Sequence, residues 1–146
     1  MKQITMNPLI KIEIVPGGKI PTKGSEHAAC YDVYAREIYI THENNKCTIY
    51  LGFKTEIPDG WKGVIVPRSS ITKGSNVMQN SPAQIDSDYR GEWILKFDSL
   101  YRKDIPATNE RIAQIYFEPV YEPIFEKVNS LSETQRGEGG FGSTGK

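Results

Sequence analysis

The chain has 146 residues, the length of one domain. Hydrophobic residues make up 38% and charged residues 25%, enough for a packed core and too apolar for disorder to be the default. Lys+Arg and Asp+Glu number 18 each, so the net charge is zero, and no general attraction to nucleic acid or to an anionic membrane is expected.

In chain order, the opening MKQITMNPLIKIEIVPGG is interrupted by Asn7, Lys11 and Glu13 and does not read as a secretion signal. In 10–15, Ile10, Ile12 and Ile14 alternate with Lys11 and Glu13, the period of a strand. Further strands are expected over 30–35 and 37–41. Segment 47–57 is the clearest. Cys47, Ile49, Leu51, Phe53, Thr55 and Ile57 face one way, and the turn Pro58-Asp59-Gly60 follows. Segments 61–67, 92–99 and 111–118 complete the set. Short strands parted by Pro, Gly, Asn and Asp predict an all-β sandwich or barrel. A helical turn is expected after Arg68-Ser69, and a second helix candidate covers 130–135. No run approaches the roughly 18 apolar residues of a membrane span. Cys30 and Cys47 make no disulfide framework and suit a reduced, cytoplasmic setting.

The last stretch, RGEGGFGSTGK, differs in kind. It cannot bury enough to order alone, yet its glycines let backbone N–H groups approach a ligand closely. Two nucleotide-loop patterns match inside it, Gly137-x-Gly139-x-x-Gly142 and Gly140 to Gly145-Lys146. Each needs a following helix, and the sequence supplies none. His27 and His42 have no zinc-ligand spacing with a cysteine, and Cys30 reads as a packing residue rather than a nucleophile. Asp86-Ser87-Asp88-Tyr89-Arg90-Gly91 gathers two carboxylates, a phenol and a guanidinium in one turn. Pro67-Arg68-Ser69-Ser70 offers a cation and hydroxyls to a phosphate, or else an N-cap. Asp32 lies in a predicted strand and points away from the core if Tyr31 and Val33 point inward.

Five stretches in order resemble the signature motifs of the homotrimeric deoxyuridine triphosphate nucleotidohydrolases, the dUTPases. They are Ala28-Ala29-Cys30-Tyr31-Asp32-Val33-Tyr34-Ala35; Pro67-Arg68-Ser69-Ser70 with Lys73-Gly74; Asn80 through Ile85-Asp86-Ser87-Asp88-Tyr89-Arg90-Gly91; Arg111-Ile112-Ala113-Gln114-Ile115; and Arg136-Gly137-Glu138-Gly139-Gly140-Phe141-Gly142-Ser143-Thr144-Gly145. The resemblance implies a jelly-roll, β-barrel-like fold, with residues 1–135 as the barrel domain and 136–146 as a mobile lid. It implies a homotrimer whose sites are shared. The first, second and fourth motifs come from one chain, the third from another, and the tail from the last. The implied reaction is dUTP to dUMP and pyrophosphate with Mg2+, which limits uracil in DNA and supplies dUMP for thymidylate synthesis.

By the same resemblance, Asp86 is the general base toward water attacking the α-phosphorus. Gln114 binds a phosphate oxygen or that water. Tyr89 stacks under deoxyribose, and Asn80 with the backbone to Ile85 forms a hairpin reading uracil. Ser69 and Ser70 serve the phosphates; Arg68 does likewise or braces a subunit interface. Asp32 accepts hydrogen bonds from water on Mg2+. In the tail, Arg136 is a cation for the phosphates, Phe141 stacks on uracil, and Gly142, Ser143 and Thr144 bind the terminal phosphate.

Three positions depart from the family pattern. Cys30 stands where Gly is usual, Ser81-Pro82-Ala83-Gln84 replaces a more apolar run, and Trp93 is expected at a subunit contact. The related dCTP deaminases need a Glu in the strand after the third motif, where this chain has Lys96. A protein-binding regulatory role is the rival of a different class.

Overall fold

The computed structural model describes residues 7–41, 45–143 and 145; His42 and Thr144 lie outside the described residues. The strands are β1 (Lys11–Ile14), β2 (Thr22–Lys23), β3 (Tyr31–Tyr34), β4 (Glu37–Thr41), β5 (Lys46–Tyr50), β6 (Phe53–Glu56), β7 (Trp61–Pro67), β8 (Asn76–Met78), β9 (Ala83–Ile85), β10 (Ile94–Ser99) and β11 (Arg111–Pro119). They form three antiparallel sheets ordered β1-β6, β4-β5-β10-β8 and β2-β3-β11-β7-β9. The fold is all-β, as the turn-rich alternation predicts, and jelly-roll-like, as the resemblance implies. A 3-10 turn over Ser69–Lys73 meets the expectation of a helical turn after Arg68-Ser69, and a second spans Arg102–Asp104. The helix expected over 130–135 is not formed: residues 120–135 hold neither helix nor strand. Among the described residues no helix is long and apolar enough to cross a membrane.

Period-two alternation survives a break in segment 47–57. Cys47, Ile49, Leu51, Phe53, Thr55 and Ile57 are all buried, although β5 pairs in one sheet and β6 in another. The break is Gly52, at φ 79°. Its carbonyl accepts from the Val15 N–H at 2.9 Å. Gly18 lies so close that a Cβ on either glycine would strike the other's backbone.

Trp93 sits where the sheets meet. It is fully buried, which corrects its expected place at a subunit contact. Its ring centroid lies 5.1 Å from Phe53 and 6.0 Å from Phe117. Its indole N–H donates to Thr55 Oγ1 at 3.0 Å, satisfying the one polar atom of each side chain. Trp93→Ala leaves a large cavity and an orphaned hydroxyl, so a loss of about 3–5 kcal/mol is expected. Urea unfolding at fixed protein concentration measures it, and a loss under 1 kcal/mol contradicts this packing.

Candidate active site

One end of the sheet β2-β3-β11-β7-β9 brings the first, second and fourth motifs together, and β9 carries part of the third. Asp32 on β3 lies opposite Gln114 on β11, and Ala113 lies opposite Pro67 at the end of β7. The residue after Pro67 is Arg68, which therefore leaves the sheet beside β11. A register shift between Arg111 and Ala113 swings Arg111 toward the same point.

These side chains converge on one carboxylate. Arg68 Nε donates to Asp32 Oδ1 at 2.9 Å, and Gln114 Nε2 reaches the same oxygen at 3.5 Å. Arg111 Nη1 lies 3.6 Å from Asp32 Oδ2. Arg68 Nη1 also donates to the Arg111 carbonyl at 3.2 Å and toward Ser70 Oγ at 3.5 Å. Asp32 is only 4% exposed, covered by these partners rather than by the apolar core that holds Val33. Tyr31 is the neighbour that faces solvent, and Val33 is buried. A buried carboxylate is tolerable here because two guanidiniums and an amide answer it. In return it fixes the direction of Arg68.

Arg68 occupies the cap position of the 3-10 turn and makes no side-chain cap bond. The second motif is therefore not a side-chain N-cap. Ser69 and Ser70 follow it exposed. The far end of the turn is tied down by a residue the sequence reading missed. Asp104 Oδ2 accepts from the Ser75 N–H at 3.1 Å and from Ser75 Oγ at 2.6 Å, and its carbonyl accepts from Asn76 Nδ2 at 2.7 Å. No local pattern marks Asp104 in Arg102-Lys103-Asp104-Ile105.

The Ser75 hydroxyl, chiefly, holds the Asp104 carboxyl below its ordinary 3.8, with help from the Ser75 N–H and Lys103. A depressed folded value means a contribution fully present above the unfolded value and lost as pH falls through the folded one. Asp104→Asn should accordingly be less stable than wild type at pH 7, with the gap closing between about pH 5 and pH 2. Urea midpoints across that range test this; a gap constant with pH contradicts it.

The third motif lies in an exposed turn. Asp86 is exposed, and its carbonyl accepts from the Tyr89 N–H at 3.2 Å. Arg90 Nη1 donates to the Ser87 carbonyl at 2.7 Å. The expected uracil hairpin takes another form. β8 pairs with β10 and β9 with β7, so 79–82 bridges two sheets rather than joining paired strands. Asn80 also differs. Its Nδ2 donates to the Ile94 carbonyl at 3.1 Å, and its Oδ1 accepts from the Lys96 N–H at 2.9 Å. The side chain thus braces β10 with one donor and one acceptor, and Ile85 takes its place in β9 opposite Gly63. Cys30 is half-buried; burial, then the Asp32 carboxylate, pushes its thiol up, consistent with a packing role.

The tail is a chain of turns. Gly137, Gly139, Ser143 and Gly145 N–H groups donate to Thr134, Arg136, Gly140 and Gly142 carbonyls, and Arg136 Nε donates to the Gly139 carbonyl at 2.8 Å. Phe141 is fully exposed, and Gly142 has φ 83°. Among the described residues, the hydrogen bonds of the tail stay within 134–145, and none joins Asp86 to the Asp32 cluster. One chain thus gathers side chains of the first, second and fourth motifs at Pro67, while β9 leads the third motif along β7 toward Gly63.

No group of three or more His, Cys, Asp or Glu gathers as a metal cage among the described residues. Asp32, neutralised by two guanidiniums, is a poor attractor of a cation. These residues do not fit a metal ligated directly by the protein.

A family model described as dUTPase matches residues 17–145. The deoxyuridine 5'-triphosphate nucleotidohydrolase of Anaplasma marginale is 35% identical over 88% of this chain and 90% of its own. That of Yarrowia lipolytica is 38% identical over 87% and 82%. In fold, a mutant Staphylococcus bacteriophage 80alpha dUTPase solved with dUpNHpp matches with a TM-score of 0.80 at 21% identity, covering 94% of this chain and 99% of that one. A family model spanning nearly all of the barrel and tail, with relatives of this identity along most of their length, leaves one conclusion: the chain belongs to the dUTPase family.

Proposed function

We propose that this chain hydrolyses dUTP to dUMP and pyrophosphate, acting in the cytoplasm or inside a host cell to limit uracil in DNA and supply dUMP for dTMP synthesis. The observation that carries this reading is the Asp32–Arg68–Gln114 cluster beside exposed Ser69 and Ser70. Arg68, aimed by Asp32, meets the phosphate oxygens, where a directed guanidinium outperforms a loose cation. Ser69 and Ser70 donate beside it. Gln114 orients a phosphate oxygen or the incoming water. Asp86 accepts the proton of water attacking the α-phosphorus, and the bond to the pyrophosphate oxygen breaks in line. Tyr89 forms the platform under deoxyribose, and the backbone of 80–85 reads the base. Asn80, held to β10 by two hydrogen bonds, reads the base together with main-chain groups up to Ile85.

Mg2+ comes with the triphosphate, since it prefers phosphate oxygens and retained waters to a protein cage. Asp32 aims Arg68 through Oδ1, and its Oδ2 accepts hydrogen bonds from water on that ion without ligating it. The tail closes over the nucleotide: Arg136 toward the phosphates, Phe141 on the base, Gly142, Ser143 and Thr144 at the terminal phosphate.

Sites shared in a homotrimer account for Asp86 and the tail making no hydrogen bond to the cluster among the described residues. Tyr121, Ile124, Phe125 and Leu131 protrude, nearly fully exposed, after β11. Such residues require a covering surface, and a groove of about 600 Å3 lined by Ile10, Ile12, Ile20, Ile115 and Phe117 offers one on a neighbour. Sedimentation at assay concentration is expected to give a trimer; an active monomer contradicts shared sites.

Pyrophosphate release from dUTP, dCTP, dTTP and UTP tests the function. Strong preference for dUTP supports it, and release from all four at similar rates overturns it. Lys96 Nζ donates to Thr48 Oγ1 at 2.8 Å and supplies no carboxylate for deamination.

A further inference from the structure

Glu92 follows the third motif directly and takes no part in the chemistry above. Its carboxylate is held three ways. Oε1 accepts from Arg36 Nε and from the Gly52 N–H, both at 2.8 Å, and Oε2 accepts from Arg36 Nη2 at 3.0 Å. The pair is largely withdrawn from solvent, with side chains 19% and 13% exposed. Arg36 is itself fixed: its backbone N–H donates to the Tyr50 carbonyl at 2.8 Å, and its guanidinium lies 5.9 Å from the Tyr50 ring centroid. Gly52 is the tightly packed crossing point with Gly18. Glu92 is therefore pinned to the corner between β5 and β6 by a bidentate ion pair and a main-chain bond.

The other end of this brace is Tyr89. Its hydroxyl donates to the Glu92 carbonyl at 3.0 Å. Its ring lies across Gly91 so closely that a Cβ there would strike the ring and its hydroxyl. The ring is thus set by residues 91 and 92, and residue 92 is set by Arg36 and Gly52. A platform that rejects a 2′-hydroxyl by contact works only if it cannot yield, because a shift of a fraction of an ångström makes room.

We infer that Arg36 and Glu92 are positioning residues that hold the Tyr89 ring and thereby set the preference for deoxyribose over ribose. The inference rests on Tyr89 as the sugar platform in the proposed hydrolysis. It is a statement about selectivity, so the readout is the ratio of kcat/KM for dUTP to that for UTP. That ratio does not depend on how much of a preparation is folded, so loss of stability alone leaves it unmoved.

Glu92→Ala, the milder Glu92→Gln and Arg36→Ala are compared with Gly91→Ala, which displaces the ring directly. Glu92→Ala and Arg36→Ala should lower the ratio roughly three- to tenfold, the scale of one lost hydrogen bond. Glu92→Gln, which keeps the Gly52 bond, should fall between wild type and Glu92→Ala, and it carries the test if the alanine variant does not fold. A ratio unchanged in the Glu92 and Arg36 variants but lowered in Gly91→Ala overturns the brace and leaves the platform standing. A ratio unchanged in all four removes Tyr89 from the sugar and the inference with it. A wild-type protein that does not hydrolyse dUTP overturns the hydrolase reading itself, and this inference with it.

Discussion

Asp86→Asn should lower dUTP turnover by roughly 10²–10⁴-fold while leaving the fold and nucleotide binding intact, the range for a lost general base. The variant keeps the shape of the side chain and removes only its capacity to take a proton. Asp86 is exposed in the turn closed by the Tyr89 N–H, and no hydrogen bond or ion pair of its carboxylate supports the barrel among the described residues. Amide substitution therefore costs little structure. Single-turnover measurement with bound dUTP separates the chemical step from binding. Turnover within a few-fold of wild type removes Asp86 from the role.

Deleting residues 136–146 should give the other large effect. The core of the barrel is complete by β11, so the shortened chain folds, assembles and still binds nucleotide weakly. Catalysis falls by roughly 10³-fold or more, the scale of a cation delivered to phosphoryl oxygens from outside the site. Loss of closure over the reacting phosphates adds to that. Mixing tail-deleted chains with Asp86→Asn chains provides the sharper test. If a site takes Asp86 and the tail from different subunits, mixed trimers regain activity that neither population has alone. No recovery, with subunit exchange confirmed by sedimentation of tagged chains, means that one chain supplies both.

Alternation made the long strands legible. Segment 47–57 predicted every buried side chain from Cys47 to Ile57, because one face of a strand reads directly as polarity. Strands β2, β8 and β9 escaped notice because two or three residues cannot display a period. The candidate site was legible as motifs but not as contacts. That Asp32 is buried follows from Arg68 and Arg111 arriving from distant strands, which no local pattern reveals. Asn80 was visible as a polar residue next to a turn, but its bonds to Ile94 and Lys96 depend on β8 crossing to β10. Asp104 and Glu92 were missed for the same reason. Each acts through a partner brought near only by the tertiary fold, Ser75 in one case and Arg36 in the other.

The glycine joint at Gly52 has a consequence for how chain length can vary here. Because side chains keep strict parity from Cys47 through Ile57 across two sheets, adding or removing one residue between them would turn Phe53, Thr55 and Ile57 outward. It would also part Gly52 from Gly18 and from the Glu92 carboxylate. Insertions and deletions among natural variants of this chain should therefore be missing from 47–57 and gather instead in exposed connections such as the turn at Pro58-Asp59-Gly60.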